Sequence, residues 1–293
     1  MKKYISIMFV LLPVIGFCQY TPQFSQLIKT LEFVNPGYNA SRIDPSVSLL
    51  YRSQFSGFDG APKLMAANFN IPVNKWHMGF GMNSIGETHG LMTQINAALN
   101  ANIDVKLSPS SYLAFGMNGG IDSKYIDMAR AVNEGEFITA EEINSNSFYT
   151  AAGLNLFTQN LHLGAALHYS QLKGTHYRSN EFFSIYLNGS YLFDLSKDVA
   201  LKPAMLYRYY AGESSFDLGC FVLYKDMAWA GLAYRLNQAI IIFGDVKLTK
   251  YLRLGYSFDM EFMKPGQYIY GNHELSLELT LPHHKEAFER FAQ

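Results

Sequence analysis

Charge is scarce in this sequence and nearly cancels: 23 Lys and Arg stand against 24 Asp and Glu, 16% of 293 residues. A near-neutral chain offers no electrostatic case for binding nucleic acid. Cysteine is scarcer still, with Cys18 and Cys220 alone. One cysteine past residue 18 leaves nothing for an internal disulfide, so the fold is not a stapled secreted scaffold. No later stretch approaches the length of an apolar membrane-crossing helix; the run 239–243 is far too short. Signatures of catalysis are missing as well. There is no Gly-x-Ser-x-Gly, no His-Glu-x-x-His and no phosphate loop, so no catalytic residue is assigned and the chain is expected not to be an enzyme. No cofactor is expected, and no metal: His283-His284 are adjacent in a tail, a poor start for a tetrahedral site.

What the chain has instead is aromatic side chains, 22 Phe and 20 Tyr against 2 Trp. It also has an export signal. Lys2-Lys3 opens a basic start, residues 4–17 are apolar, and Gly16 and Cys18 sit three and one before a cleavage point that would leave Gln19 first. Bulky Phe17 argues against a lipoprotein signal at Cys18. Exported, unstapled and aromatic-rich, the chain fits an all-β transmembrane antiparallel barrel in an outer membrane, with lipid as its surroundings.

Alternation supports this. Ile95, Ala97, Leu99, Ala101, Ile103 and Val105 share one face, opposite Asn96, Asn100, Asn102, Asp104 and Lys106. Leu252, Leu254, Tyr256, Phe258 and Met260 oppose Arg253, Gly255, Ser257 and Asp259, and Met205, Tyr207 and Tyr209 oppose Lys202 and Arg208. Fourteen such strands are expected between residues 46 and 281. Connections at 73–76, 108–110, 159–160, 194–197, 225–226 and 249–250 read as short turns. Those at 56–62, 86–90, 123–146, 171–179, 211–214 and 261–271 read as longer loops, with 236–237 the short exception. Short turns on one rim and longer loops on the other is the outer-membrane pattern, and it puts both termini on the periplasmic side. Tyr112, Tyr169, Tyr191, Phe193, Tyr207, Tyr209, Tyr224, Tyr234 and Tyr251 lie near strand ends, as interfacial girdles do. The organisation is thus a signal peptide (1–18), a periplasmic N-terminal lead-in that packs on or in the barrel mouth (19–45), a barrel (46–281) and a periplasmic C-terminal tail (282–293). Asp122, Asp127, Glu134, Glu136, Glu141 and Glu142 suit a solvated loop better than a calcium site. His162 and His168 share a facing and read as surface or interface residues.

Parity also speaks to the seam. If Val47, Leu49 and Tyr51 face lipid, Arg52 faces the lumen; if Leu275, Leu277, Leu279 and Leu281 face lipid, Glu274 faces the lumen as well. Closure of an even-stranded barrel brings these strands together, so Arg52 and Glu274 are expected near the long-loop rim, either as a charge-assisted pair or as two independent lumen charges.

Three groups of residues carry a family resemblance. They are Gln23-Phe24-Ser25-Gln26 with Asn35-Pro36-Gly37-Tyr38, then Tyr51-Arg52-Ser53-Gln54-Phe55-Ser56-Gly57-Phe58-Asp59-Gly60-Ala61-Pro62-Lys63, and finally Gly271-Asn272-His273-Glu274-Leu275-Ser276-Leu277. In these the chain resembles the PorP/SprF family of Bacteroidota outer-membrane proteins, associated with type IX secretion and gliding motility. It departs from the family pattern at Gly37, where Ala is usual, and at Phe55, where Trp is common. The resemblance implies a non-enzymatic barrel that assists secretion or surface attachment of cargo proteins. Its implied partners are other type IX secretion components, periplasmic peptidoglycan-linked proteins and secreted surface cargo. The competing reading is a passive porin or a channel for hydrophobic solutes.

Overall fold

The computed structural model describes residues 23–127, 143–174, 177–210, 212–225, 227–262 and 271–281. The proposed signal peptide, the loop residues Glu134, Glu136, Glu141 and Glu142, and the tail with His283-His284 lie outside these residues.

Fourteen antiparallel strands form one closed barrel. They are β1 Ser46–Ser53, β2 Lys63–Val73, β3 Met78–His89, β4 Met92–Ser108, β5 Ser111–Ile126, β6 Ile143–Phe157 and β7 Leu161–Gly174. The second half comprises β8 Tyr177–Tyr191, β9 Val199–Tyr210, β10 Glu213–Tyr224, β11 Ala228–Arg235, β12 Ala239–Lys247, β13 Leu252–Glu261 and β14 Asn272–Thr280. A two-residue extension, Phe193–Asp194, carries β8 along β9. Every strand pairs with its sequence neighbour, and the sheet closes where β1 meets β14, Ser46 opposite Thr280 and Ser53 opposite His273. Closure leaves no edge with unpaired backbone groups, which the hydrocarbon of a bilayer does not tolerate.

The alternation follows the side-chain pattern of a lipid-embedded wall. Leu49, Met65, Phe69, Leu99, Leu218, Tyr256 and Leu275 point outward and are exposed, while Arg52, Asn68, Asn100, Asp217, Asp259 and Glu274 on the same strands point in and are buried. Tyr191, Phe193, Tyr209, Tyr224, Tyr234 and Tyr251 are outward and exposed, as girdle residues are. Among the described residues no helix is long and apolar enough to cross a membrane.

The loops differ from the sequence reading in extent. Strands β3 and β4 run to His89 and from Met92, β7 and β8 to Gly174 and from Tyr177, and β9 and β10 to Tyr210 and from Glu213, so three of the expected longer loops shrink to two-residue connections. The loop expected at 123–146 begins only after Ile126 and ends before Ile143. Polar residues there continue the inward face instead of leaving the sheet. Asp122 belongs to that face: it is buried and accepts hydrogen bonds from Gln94 at 2.9 Å. The three connections that stay long, 54–62, 127–142 and 262–271, all lie on one rim.

Candidate functional site

Residues 23–45 fill the lumen. One helical turn, α1 Leu31–Val34, leads into a 3-10 helix, Pro36–Ser41. A four-residue helix has no stability of its own, so this shape is held by the barrel around it. Locally, Asn35 supports it: its side-chain oxygen accepts the Gly37 amide at 3.0 Å, and Pro36 occupies the first helical position, where a missing N–H costs nothing. Phe24, Leu27, Ile28, Leu31, Phe33, Val34 and Tyr38 are all buried, and Phe24 stacks on Phe33 at 5.6 Å.

The segment threads the barrel lengthwise. Gln23 and Phe24 meet Arg235, the last residue of β11 before the long-loop rim, where the Phe24 carbonyl accepts from Arg235 Nη2 at 2.6 Å. At the other end Pro45 accepts the Leu281 amide at 2.9 Å on the short-turn rim. The described chain therefore starts toward one end of the barrel and finishes at the other. The expected shared periplasmic side of the two termini concerns residues outside the described range.

A continuous ionic network crosses the seam at the long-loop end. Arg52 and Glu274 are direct cross-strand partners, 3.5 Å apart and fully buried, so the two lumen charges are a pair and not independent. Arg52 also meets Asp259 at 2.9 Å, and Arg235 lies 3.7 Å from Asp259. Arg235 then holds Asp217 at 3.1 Å, and Asp217 takes Arg208 at 2.8 Å. The plug completes this network. The Ser25 and Gln26 amides each donate to Glu274 at 2.9 Å, one to each carboxylate oxygen, and Ser25 Oγ donates to Asp259 at 2.6 Å. Arg52 Nη1 bonds Ser25 Oγ, and the Gln26 side chain accepts from Ser276 at 2.6 Å. Buried charges persist only when paired and hydrogen-bonded, and here the plug backbone supplies part of that pairing.

A second network lies nearer the short turns. Arg42 bonds Glu278 and, at 3.0 Å, Glu32; Lys29 reaches Glu278 at 2.7 Å and Asp245 at 3.3 Å; Arg253 bonds Asp245. Trp229 lies among these cations, with Arg253 5.0 Å and Lys29 and Lys202 each 5.6 Å from its ring.

The opposite wall is built from neutral amides. Asn70 and Asn83 donate to the Asn39 and Glu32 carbonyls at 3.3 Å, and Asn155 exchanges side-chain hydrogen bonds with Asn35. His162 and His168 are buried here, correcting their reading as surface or interface residues: His168 contacts the Val34 carbonyl at 2.6 Å, and Tyr38 packs on His162 at 5.3 Å. Two wall glycines let the plug in. A Cβ at Gly116 would fall on Pro36 and Gly37, and one at Gly153 on the Asn35 side chain. Gly37 is hemmed in the same way, since a Cβ there would lie 2.8 Å from the Gly153 carbonyl oxygen. That accounts for glycine where alanine is usual.

The motif residues thus divide. Gln23, Phe24, Ser25, Gln26, Asn35, Pro36, Tyr38, Arg52 and Glu274 converge on the plug and its walls. Tyr51 faces outward, and so does His273, which meets Tyr256 at 2.7 Å and Phe258 at 5.1 Å. Phe58, Asp59 and Gly60 are exposed on the long-loop rim, with Ala61 and Pro62 completing the reversal. Phe55, Gly57 and Gly60 all take positive φ there, and the Ser56 amide ties the loop to the Gly271 carbonyl. Sequence reasoning did not identify Asp217, Arg235, Asp245 and Glu278 as network members, nor Lys29, Glu32 and Arg42 in the plug. Parity alone put Asp259, Arg208 and Arg253 on the inner face, but their partners depend on register. No cluster of metal-ligating residues exists among the described residues.

The family model described as type IX secretion system membrane protein PorP/SprF matches residues 17–279. No curated protein matches the sequence. Among solved structures the fold is similar to the CymD monoaromatic hydrocarbon channel, at 9% identity and TM-score 0.54, covering 89% of this chain and 95% of that one. It is also similar to a Pseudomonas aeruginosa FadL homologue, at 12% identity and TM-score 0.52, covering 87% and 95%.

Proposed function

From a chain that belongs to the PorP/SprF family of type IX secretion system membrane proteins, we propose a closed, non-enzymatic outer-membrane barrel that assists secretion or surface attachment of cargo proteins. The observation that carries this reading is the plug. Residues 23–45 occupy the lumen from rim to rim, and the Ser25 and Gln26 amides and the Lys29 and Arg42 charges are held by buried carboxylates on the wall. A passive porin needs a water-filled path, and a plug fixed by two ionic networks argues against one. In this reading the long-loop rim faces the cell exterior and the short turns face the periplasm, where other secretion components and peptidoglycan-linked proteins are reached.

Two experiments separate the secretion role from the channel alternative. In planar bilayers the purified barrel is expected to be electrically silent, whereas steady conductance supports a channel. A deletion strain is expected to lose particular proteins from its surface while small-solute uptake stays normal. A normal surface proteome with impaired uptake would overturn the secretion reading.

A further inference from the structure

The described chain ends at Leu281 on the short-turn rim, where its amide donates to the Pro45 carbonyl at 2.9 Å. Two residues before Pro45, Ile43 lines a cavity of about 230 Å³ at the same rim, between the exit of the plug and the wall of β2–β6. The lining is mixed: Ile43, Met78, Ala114 and Phe157 are apolar, whereas Asn74, Asn102, Asp104 and Tyr112 are polar. Neither an apolar solute nor a lone ion matches walls of both kinds. A stretch of polypeptide does, because it carries apolar side chains on a hydrogen-bonding backbone. Both signs of charge stand at the mouth: Asp104, which meets the exposed His77 at 3.0 Å, and Lys106, 5.8 Å from the Tyr112 ring.

The chain itself supplies such a stretch. Residues 282–293 follow Leu281, and they set Phe288 beside Glu289 and Arg290. Phe288 is seven residues past Leu281, which gives it an extended reach of about 23 Å. A cavity of about 150 Å³ accepts a benzene ring, so this one has room for a phenylalanine side chain. Tethering raises the local concentration of the segment, so a contact too weak to hold a free peptide can hold this one.

We infer that the segment 282–293 docks on the short-turn mouth of its own barrel, with Phe288 entering this cavity and Glu289 and Arg290 set against Lys106 and Asp104. Docked there it touches both plug and wall, and it fastens the plug at its exit. This contact is independent of the secretion reading, because nothing in it depends on cargo or partner.

The test uses the full chain in detergent. Trypsin cuts after Lys285 and Arg290, and intact mass reads the loss of the tail. The wild type is expected to lose it at least tenfold more slowly than Phe288→Ser, a change confined to the tail. Equal rates overturn the inference. Ala114→Trp fills the cavity from the wall and should speed the loss by a similar factor; an unchanged rate in the folded variant also overturns it. A second measurement locates the segment. In a Cys220→Ser background, Phe288→Cys with Met78→Cys should form an intrachain disulfide at least tenfold faster than Phe288→Cys with Lys250→Cys. Lys250 stands in a short turn between β12 and β13, several strands from the cavity. Comparable rates place the segment elsewhere on the rim, and a disulfide joining two copies assigns the cavity to a neighbouring chain; either result overturns the inference.

Discussion

The two inner walls hold the same plug by different chemistry. On β9–β14 and β1 the charged inward residues Arg208, Asp217, Arg235, Asp245, Arg253, Asp259, Glu274, Glu278 and Arg52 bind each other and the plug as ions, while Lys202 lies over the Trp229 ring. On β2–β8 the inward residues include the neutral amides Asn68, Asn70, Asn83, Asn100, Asn102, Asn118, Asn155 and Asn188, of which Asn70, Asn83, Asn100 and Asn155 donate to the plug at 3.3, 3.3, 3.5 and 2.9 Å. The difference matters because the penalties differ. A buried ion that loses its partner is left uncompensated, whereas a lost neutral amide contact costs only a modest net hydrogen bond. The ionic wall therefore fixes where the plug sits. The amide wall accommodates it.

The sharpest way to break this contrast is at the seam. Arg52→Ala strands both Glu274 and Asp259 and is expected to destabilise the barrel by about 3–5 kcal/mol, read by unfolding in detergent. Combined with Glu274→Ala in a double-mutant cycle, it should show a coupling of at least about 1 kcal/mol. Strict additivity would mean the pair is not an energetic unit.

Steric exclusion at the amide wall comes next. Gly153→Ala drives a Cβ into the Asn35 side chain and should cost about 1–3 kcal/mol. The same variant is expected to turn a silent barrel into a flickering conductor, since the plug must shift. A stable, silent Gly153→Ala protein would show that the plug tolerates movement here.

Single amide losses should be smaller. Asn70→Ala removes one contact to the Asn39 carbonyl and is expected to cost about 0.5–1.5 kcal/mol, with no coupling to Arg52→Ala. A loss as large as that of Arg52→Ala would erase the distinction between the walls.

The smallest effect on stability concerns direction. In a Cys220→Ser background, cysteine at Gln23 and at Asn74 should react with a membrane-impermeant maleimide from opposite faces, Gln23 from the side of the long loops. A tag at residue 133 should be antibody-accessible on intact cells. Labelling of Asn74 on intact cells, with Gln23 and the tag silent, would invert the orientation proposed for the barrel.

Much of this was legible in the sequence because the strand period is two residues. That period put Leu49 and Tyr51 outside and Arg52 inside, Leu275 outside and Glu274 inside, and closure of an even number of strands then brought Arg52 and Glu274 together. Turn chemistry at Gly57, Gly60 and Pro62 likewise marked the first reversal. Strand ends were harder to see. Polar residues such as Ser123 and Asn146 look the same in a loop and on a lumen-facing strand, so β5 and β6 extend beyond their expected limits.

What the amino-acid order could not determine is the lumen. Alternation places Asp259 on an inner face without saying that register and the barrel's curvature bring it within 3.7 Å of Arg235. Nothing periodic marks residues 23–45 as a plug, because an irregular segment takes its shape from what surrounds it. Glycines at 116 and 153 read as ordinary strand residues until Pro36 and Asn35 are seen against them. Local period and composition determined the wall and its two faces; long-range closure, which sets distances between residues some 250 positions apart such as Gln26 and Glu274, decided what the wall encloses.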